Sequence, residues 1–354
     1  MLYQTENQHG GDVYGGGITL DFSANTNPLG TPPGVLEAVC RALPQLHRYP
    51  DPYCRRLVQA IAGHEQVPAS YILCGNGAAD LIYTYCAALR PRTAVELAPT
   101  FVEYGAGLAQ VGCRVERYFL HQAQNFDLDE RFLSFLEEKK PEVVFLCNPN
   151  NPTGRLIPLP LLEQILQYCA AQGARLFLDE CFLDLTEDGV SAKSLLAAHQ
   201  ELLILKAFTK SYGMAGIRLG YCLCADNALL RRMAAASPPW NVSSPAQSAG
   251  VAALAERDFL QRTLSLVRTE RRWLTDNLTA LGFWVCPSHA NYLLFRGPLG
   301  LREGLLQQGI AIRGCGNYNG LGDGWYRIAV RPHGENEALI TATRQFCKEK
   351  ALWQ

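Results

Sequence analysis

Between residues 45 and 235 short apolar runs alternate with stretches whose apolar positions recur at helical spacing. The runs predict strands at 71–73, 94–97, 114–119, 143–147, 175–178 and 202–205. The stretches between them predict helices at 78–89, 102–111, 129–139 and 159–172. Strands that alternate with helices in this way predict an α/β unit, a mostly parallel sheet covered on both faces. After "SPPWNVSSP" (237–245) the rhythm changes. A long helical region runs to Gly282, followed by strands at 291–295, 309–313 and 325–330 and a closing helix from about residue 335. The expected division is an arm at 1–44 packing with the small domain, a large domain at 45–236 and a smaller α+β domain at 237–354. A length of 354 residues accommodates that division.

Composition narrows the function classes. The formal net charge is −1, so nothing favours a nucleic acid or an anionic membrane surface as partner. The amino-terminal residues lack the basic start and apolar core of a signal peptide, and no apolar stretch reaches membrane-spanning length. The thirteen cysteines are odd in number and mostly lie within apolar runs, without metal-ligand spacing. They read as small core residues in a reducing cytoplasm, and no metal is expected.

Candidate chemistry sits where the predicted strands end. "CGNGAADLI" (74–82) is a glycine-bounded turn opening a helix, so free N–H groups and the helix dipole suit an anion. Read alone, such a glycine turn before a helix is more often an ordinary turn. Phe101 in "APTFVEYG" would cover a planar ring or staple a helix to the core. In "NPNNPTG" (148–154) Asn151 lies between prolines, a pre-positioned amide donor. Asp179 ends an apolar strand, and a carboxylate there needs a partner: a protonated ring nitrogen, a helix cap or an ion pair. Lys210 lies just past the next strand beside Thr209, eight residues before Arg218. Desolvated, it becomes an amine nucleophile for an aldehyde; exposed, it is a surface lysine in a salt bridge. One ligand explains all five positions, a flat phosphorylated pyridine aldehyde, which is pyridoxal 5'-phosphate.

With these motifs in place the chain resembles the fold type I aminotransferase superfamily over nearly its full length. It is similar to histidinol-phosphate aminotransferases. It is more closely similar to the L-threonine-O-3-phosphate decarboxylases of cobalamin biosynthesis, through "HGG" (9–11), "LDFSANTNPLG" (20–30), "RYPDPYC" (48–54), "PWNVSSPAQ" and "IRGCGNYNGLGDGWYRIAVRPHGEN" (312–336). The resemblance implies that Lys210 joins the cofactor aldehyde and Asp179 faces the pyridine nitrogen. Asn151 would serve the phenolic oxygen and Phe101 the ring face. Gly77, Ala78, Thr209 and Arg218 would hold the phosphate. Tyr49 would reach the neighbouring subunit's site in a homodimer. Arg327 would take the substrate carboxylate, leaving His9, Asn25, Arg313 and Arg331 for the substrate phosphate and arm closure.

Two positions depart from the aminotransferase pattern: Phe182 replaces a usual Tyr, and Ala207 a usual Ser or Thr. The first fits the decarboxylase branch. The expected reaction is decarboxylation of L-threonine O-3-phosphate to (R)-1-aminopropan-2-yl phosphate and CO₂. The alternatives are a histidinol-phosphate-type aminotransferase, a decarboxylase preferring O-phosphoserine, and a non-catalytic regulator that binds the same cofactor.

Overall fold

The computed structural model describes residues 9–350. Its centre is a seven-stranded sheet built from β2 (Ile72–Gly75), β3 (Thr93–Ala98), β4 (Arg114–Phe119), β5 (Val143–Cys147), β6 (Arg175–Asp179), β7 (Leu202–Ala207) and β8 (Gly220–Cys224). The order is β2-β8-β7-β6-β5-β3-β4, and only β8 runs against the others. All residues of β5, β7 and β8 are buried, as expected of strands covered on both faces. Alternation along the strands makes two cores. Val144, Leu146, Leu176, Leu178 and Ile204 join one. Phe145, Cys147, Phe177, Leu205 and Ala207 join the other.

A second, antiparallel sheet of order β12-β13-β10-β9 is formed by β9 (Trp284–Val285), β10 (Tyr292–Arg296), β12 (Arg313–Gly314) and β13 (Trp325–Ala329). Beside it β1 (Leu20–Asp21) pairs in parallel with β11 (Ile310–Ala311). The strand expected at 309–313 is thus two short ones, because the chain changes partner after Ala311, from β1 to β13. Phe22 continues the arm into this unit: its N–H donates to Ala311 O and its carbonyl accepts from Ala329 N, both at 2.8 Å.

Packing does not change at residues 45 and 236. Helices Pro33–Ala42 and Ser244–Leu254, which lie outside 45–236, pack on each other and, with Arg55–Glu65, on the large sheet's core. The cause is the small-residue face Ala246, Ala249, Gly250 and Ala253. A Cβ at Gly250 would stand 2.6 Å from Leu57 and Leu219 side-chain atoms. No helix among the described residues is long and apolar enough to cross a membrane.

Candidate active site

Where β2, β3, β5, β6 and β7 end lies a cavity of about 240 Å³. It is lined by His9, Asn25, Ala78, Phe101, Asn151, Asp179, Thr209, Lys210, Arg218, Arg313 and Arg327 among others. Eleven of the residues expected from the sequence therefore meet in one place, although they span more than three hundred positions.

The loop after β5 shows how. Asn148 Oδ1 accepts from Ile157 N at 2.8 Å, so this side chain ties the start of the loop to the chain just before helix Leu159–Gln172. Asn150 accepts from Thr100 Oγ1 at 2.8 Å and donates to Pro99 O at 3.0 Å, fixing the loop to the one after β3. Asn151 alone enters the cavity. Its Oδ1 accepts from Arg327 Nη1, which leaves the donor end of the amide for a ligand.

Asp179 is fixed on both oxygens. Tyr104 OH donates to Oδ2 at 2.6 Å and Cys181 N to Oδ1 at 2.8 Å. Burial pushes its carboxyl above the usual range, and these two donors pull it back. A cationic ring N–H is the partner that would keep it ionised. Lys210 follows β7 on the short helical turn Phe208–Ser211. Burial, with Arg327 and Arg218 close by, lowers its ammonium to about 8. A useful fraction of this amine is neutral near physiological pH.

The anion cup is the start of helix Gly77–Leu89. Gly77 has φ +84°, and a Cβ there would stand 2.7 Å from Arg218 Nη2. Glycine is favoured because this φ is strained for any residue with a Cβ, and a Cβ would also displace the guanidinium. Free N–H groups at this helix start, Thr209 and Arg218 make a phosphate-sized donor set.

On the far side, Arg313 and Arg327 face each other across the β12–β13 register. Both are buried, at 9 % and 6 % exposure. Burial lowers Arg313 below the usual arginine range, and the charge of Arg327 contributes. Arg327 donates only to neutral acceptors, Asn151 Oδ1 and Ser23 O, and its Nε has no partner. Like charges directly opposed on a sheet repel, so the pair calls for anions. Asn25, 1 % exposed, has neither side-chain atom hydrogen-bonded. His9 closes this side from the arm, 2.8 Å from Glu103. Unanswered buried donors, the glycine cradle and a lysine–carboxylate pair together fit pyridoxal 5'-phosphate with a small anionic substrate beside it.

Two expected residues are placed elsewhere. Arg331 does not line the cavity: its guanidinium pairs with Glu335 at 2.9 Å, one helical turn away. Tyr49 is 78 % exposed and stacks on Trp240 at 4.5 Å, outside this chain's own cavity. Sequence reasoning missed Tyr104 and Tyr318. Tyr104 stands three residues after Phe101, in the first turn of helix Glu103–Gln110, and the two rings meet edge-on at 5.6 Å. Tyr318 lines the cavity with Arg313 5.6 Å above its ring.

Comparison with known proteins agrees with this geometry. The aminotransferase class I and II family model matches residues 18–344. The chain is 40 % identical over 331 residues to the threonine-phosphate decarboxylase of Salmonella typhimurium, covering 92 % of this chain and 90 % of that one. Among solved structures it is similar to the histidinol-phosphate aminotransferase from Clostridium acetobutylicum, with TM-score 0.87, 28 % identity and coverage of 93 % and 99 %. It is also similar to the L-threonine-O-3-phosphate decarboxylase from Porphyromonas gingivalis, with TM-score 0.82, 25 % identity and coverage of 93 % and 99 %. The chain belongs to the aminotransferase class I and II family.

Proposed function

We propose that this chain is a pyridoxal 5'-phosphate enzyme that decarboxylates L-threonine O-3-phosphate to (R)-1-aminopropan-2-yl phosphate and CO₂. The observation that carries the reading is the opposed pair Arg313 and Arg327, buried at one cavity with Lys210. Such a pair is answered by a ligand with two anionic groups. O-phosphothreonine has a carboxylate and a phosphate. Histidinol phosphate has only the phosphate, although the dicarboxylate 2-oxoglutarate that a transaminase also takes would suit the pair too, so the product decides between them. The 40 % identity to a threonine-phosphate decarboxylase supports the same substrate.

Each residue then has a task. Gly77 and Ala78 N–H groups, Thr209 and Arg218 hold the cofactor phosphate. Asp179 holds charge against the ring nitrogen, Asn151 donates to the phenolic oxygen, and Phe101 covers the ring. When bound, the cofactor supplies an electron sink for the pair released as a bond to Cα breaks. Arg327 grips the substrate carboxylate; Arg313, His9 and Asn25 grip its phosphate end. Held at both ends, the substrate would be restricted in rotation about Cα, which would let Arg327 and Arg313 select loss of the carboxylate over loss of the Cα proton. CO₂ leaves, and the Lys210 ammonium returns a proton to Cα.

The enzyme works as a homodimer, with Tyr49 reaching the neighbouring subunit's site. Exposed Tyr49, Tyr53, Leu43 and Leu46 supply apolar surface for that contact. A monomer by light scattering at assay concentration would refute it. Cys74, Cys147, Cys222 and Cys286 are buried free thiols, which suits a cytoplasmic enzyme.

Incubation with O-phosphothreonine, with and without 2-oxoglutarate, tests the reaction. The expected result is CO₂ and aminopropanol phosphate by mass spectrometry, with no keto acid consumed. Keto-acid consumption would instead establish a transaminase, the reading favoured by the Clostridium acetobutylicum likeness. O-phosphoserine should be the poorer substrate by about 10–200-fold, since one methyl group is worth about 1–3 kcal/mol in a pocket.

A further inference from the structure

Behind the cavity, on the other face of the sheet, lies a second buried polar group that none of these roles uses. Side chains alternate along β7, so Ala207 lines the cavity while Lys206, 4 % exposed, enters the opposite core. Lys206 Nζ lies 2.8 Å from Asp184 Oδ1 and 3.2 Å from Glu65 Oε1. Asp184 sits in the turn Leu183–Leu185, shortly after Asp179. Its other oxygen accepts from Ser211 Oγ at 3.0 Å. Ser211 directly follows Lys210, and its carbonyl accepts from Asn27 Nδ2 at 2.7 Å.

The turn that carries Lys210 has only four residues. A helix that short does not hold itself in water, because the cost of nucleation is never recovered. Its shape must come from outside. Phe208 packs on the Tyr212 and Tyr221 rings. Ser211 is clamped twice, on hydroxyl and on carbonyl. Lys206, Asp184 and Ser211 therefore close a loop: a residue two positions before the turn and the residue after Lys210 are bound to one carboxylate from another segment.

We propose that Asp184 is a positioning residue, whose bridge between Lys206 and Ser211 sets the approach of Lys210 to the cavity. It touches neither cofactor nor substrate. The remaining partners are saturated, which suits a rigid mount. Glu65 also accepts from Tyr221 OH at 2.5 Å and Lys193 Nζ at 2.9 Å. Glu180 accepts from Ser191 Oγ at 2.6 Å and Ala192 N at 2.8 Å. The proposal rests on Lys210 as the cofactor lysine and not on the identity of the substrate.

The test uses reconstituted enzyme: wild type, Asp184→Asn, Ser211→Ala and the double variant. Borohydride labelling of wild type checks the premise separately: label at Lys210 upholds it, and label elsewhere sinks the premise and this proposal together. Given that label, kcat per bound cofactor should fall about 10–100-fold in Asp184→Asn, the scale of a small misplacement of a reacting group. KM should stay within about threefold, since no substrate contact is lost. The visible circular dichroism of the bound cofactor should change in the same variants. Ser211→Ala should fall in the same direction by less, and the double variant should match Asp184→Asn within about twofold, because both act through one bridge. Turnover per loaded site and dichroism equal to wild type, with only the melting temperature lowered, would reduce Asp184 to a scaffold residue. Independent, multiplying losses in the double variant would also overturn the bridge. Should Asp184→Asn fail to fold, unchanged dichroism and turnover in Ser211→Ala would decide against it.

Discussion

Two buried polar groups lie back to back across the end of β7, and they are finished to different degrees. The group behind the sheet, Lys206 with Asp184, Glu65, Lys193 and Tyr221, is closed by its own hydrogen bonds. Burial works to raise the Glu65 carboxyl, yet Lys206, the Tyr221 hydroxyl and Lys193 bring it down to about 2. Burial likewise opposes the Lys206 charge, but Asp184, Glu65 and Glu180 hold its ammonium above the usual lysine range. The group in front is left open: Asn25 and Arg327 Nε lack partners, and burial lowers the Lys210 ammonium to about 8. An unmade buried hydrogen bond costs about 1–3 kcal/mol. Unpartnered donors on Asn25 and Arg327 gathered at one cavity leave that side open to a ligand.

Substitutions should separate the two sides by what they disturb. The largest effect is expected from Lys210→Ala, which should lower kcat by about 10⁴-fold through loss of the proton donor at Cα alone. Wild-type-like turnover would remove Lys210 from the chemistry. Next, Lys206→Met should destabilise the fold by about 3–5 kcal/mol, because it strands buried carboxylates. Urea unfolding checks this, and a neutral result would show that the closed group contributes little.

Asn25→Leu should act in the opposite sense on the two quantities. KM for O-phosphothreonine should rise about tenfold, corresponding to one hydrogen bond to a charged group. The cofactor-free protein should be no less stable, since an unpaired buried amide has been removed. A marked fall in stability would place Asn25 with the closed group instead.

The mildest effect is on pH. The lysine ammonium is unfavourable in the fold, so stability of the cofactor-free protein should increase from about pH 8 toward the ordinary lysine value, and not change below pH 8 on account of this group. Capture of the cofactor aldehyde, followed by visible absorbance, should quicken as pH rises and level off just above 8. Continued acceleration toward pH 10 would mean an ordinary, solvated lysine.

The open side was largely legible in the sequence, and the closed side was not. Gly77, Phe101, Asn151, Asp179 and Lys210 each stand at the end of an apolar run, where loops and glycine or proline punctuation advertise themselves. Tyr104 and Asp179 are 75 residues apart, and Lys206 meets Asp184 across 22. No local pattern encodes such meetings; they follow from strand order in the finished sheet. Arg331, expected for the substrate phosphate or for arm closure, shows the converse. A local partner, Glu335, was available one turn away and took the guanidinium that the resemblance assigned to the substrate. The helices at 33–42 and 244–254 misled for a related reason. Their small residues look unremarkable until the close approach they permit is seen.

The reversed direction of β8 has a consequence for how the cofactor phosphate is held. Since β7 and β8 are antiparallel neighbours, the chain leaves the sheet at Ala207 and re-enters at Gly220 on the same rim. Lys210 and Arg218 therefore share that rim without any crossover helix between them. Were β8 parallel, its five residues would carry Arg218 to the opposite rim, about 16 Å away at 3.3 Å per residue. A single change of strand direction thus keeps a covalent anchor and an ionic anchor for one small molecule on the same short excursion of chain.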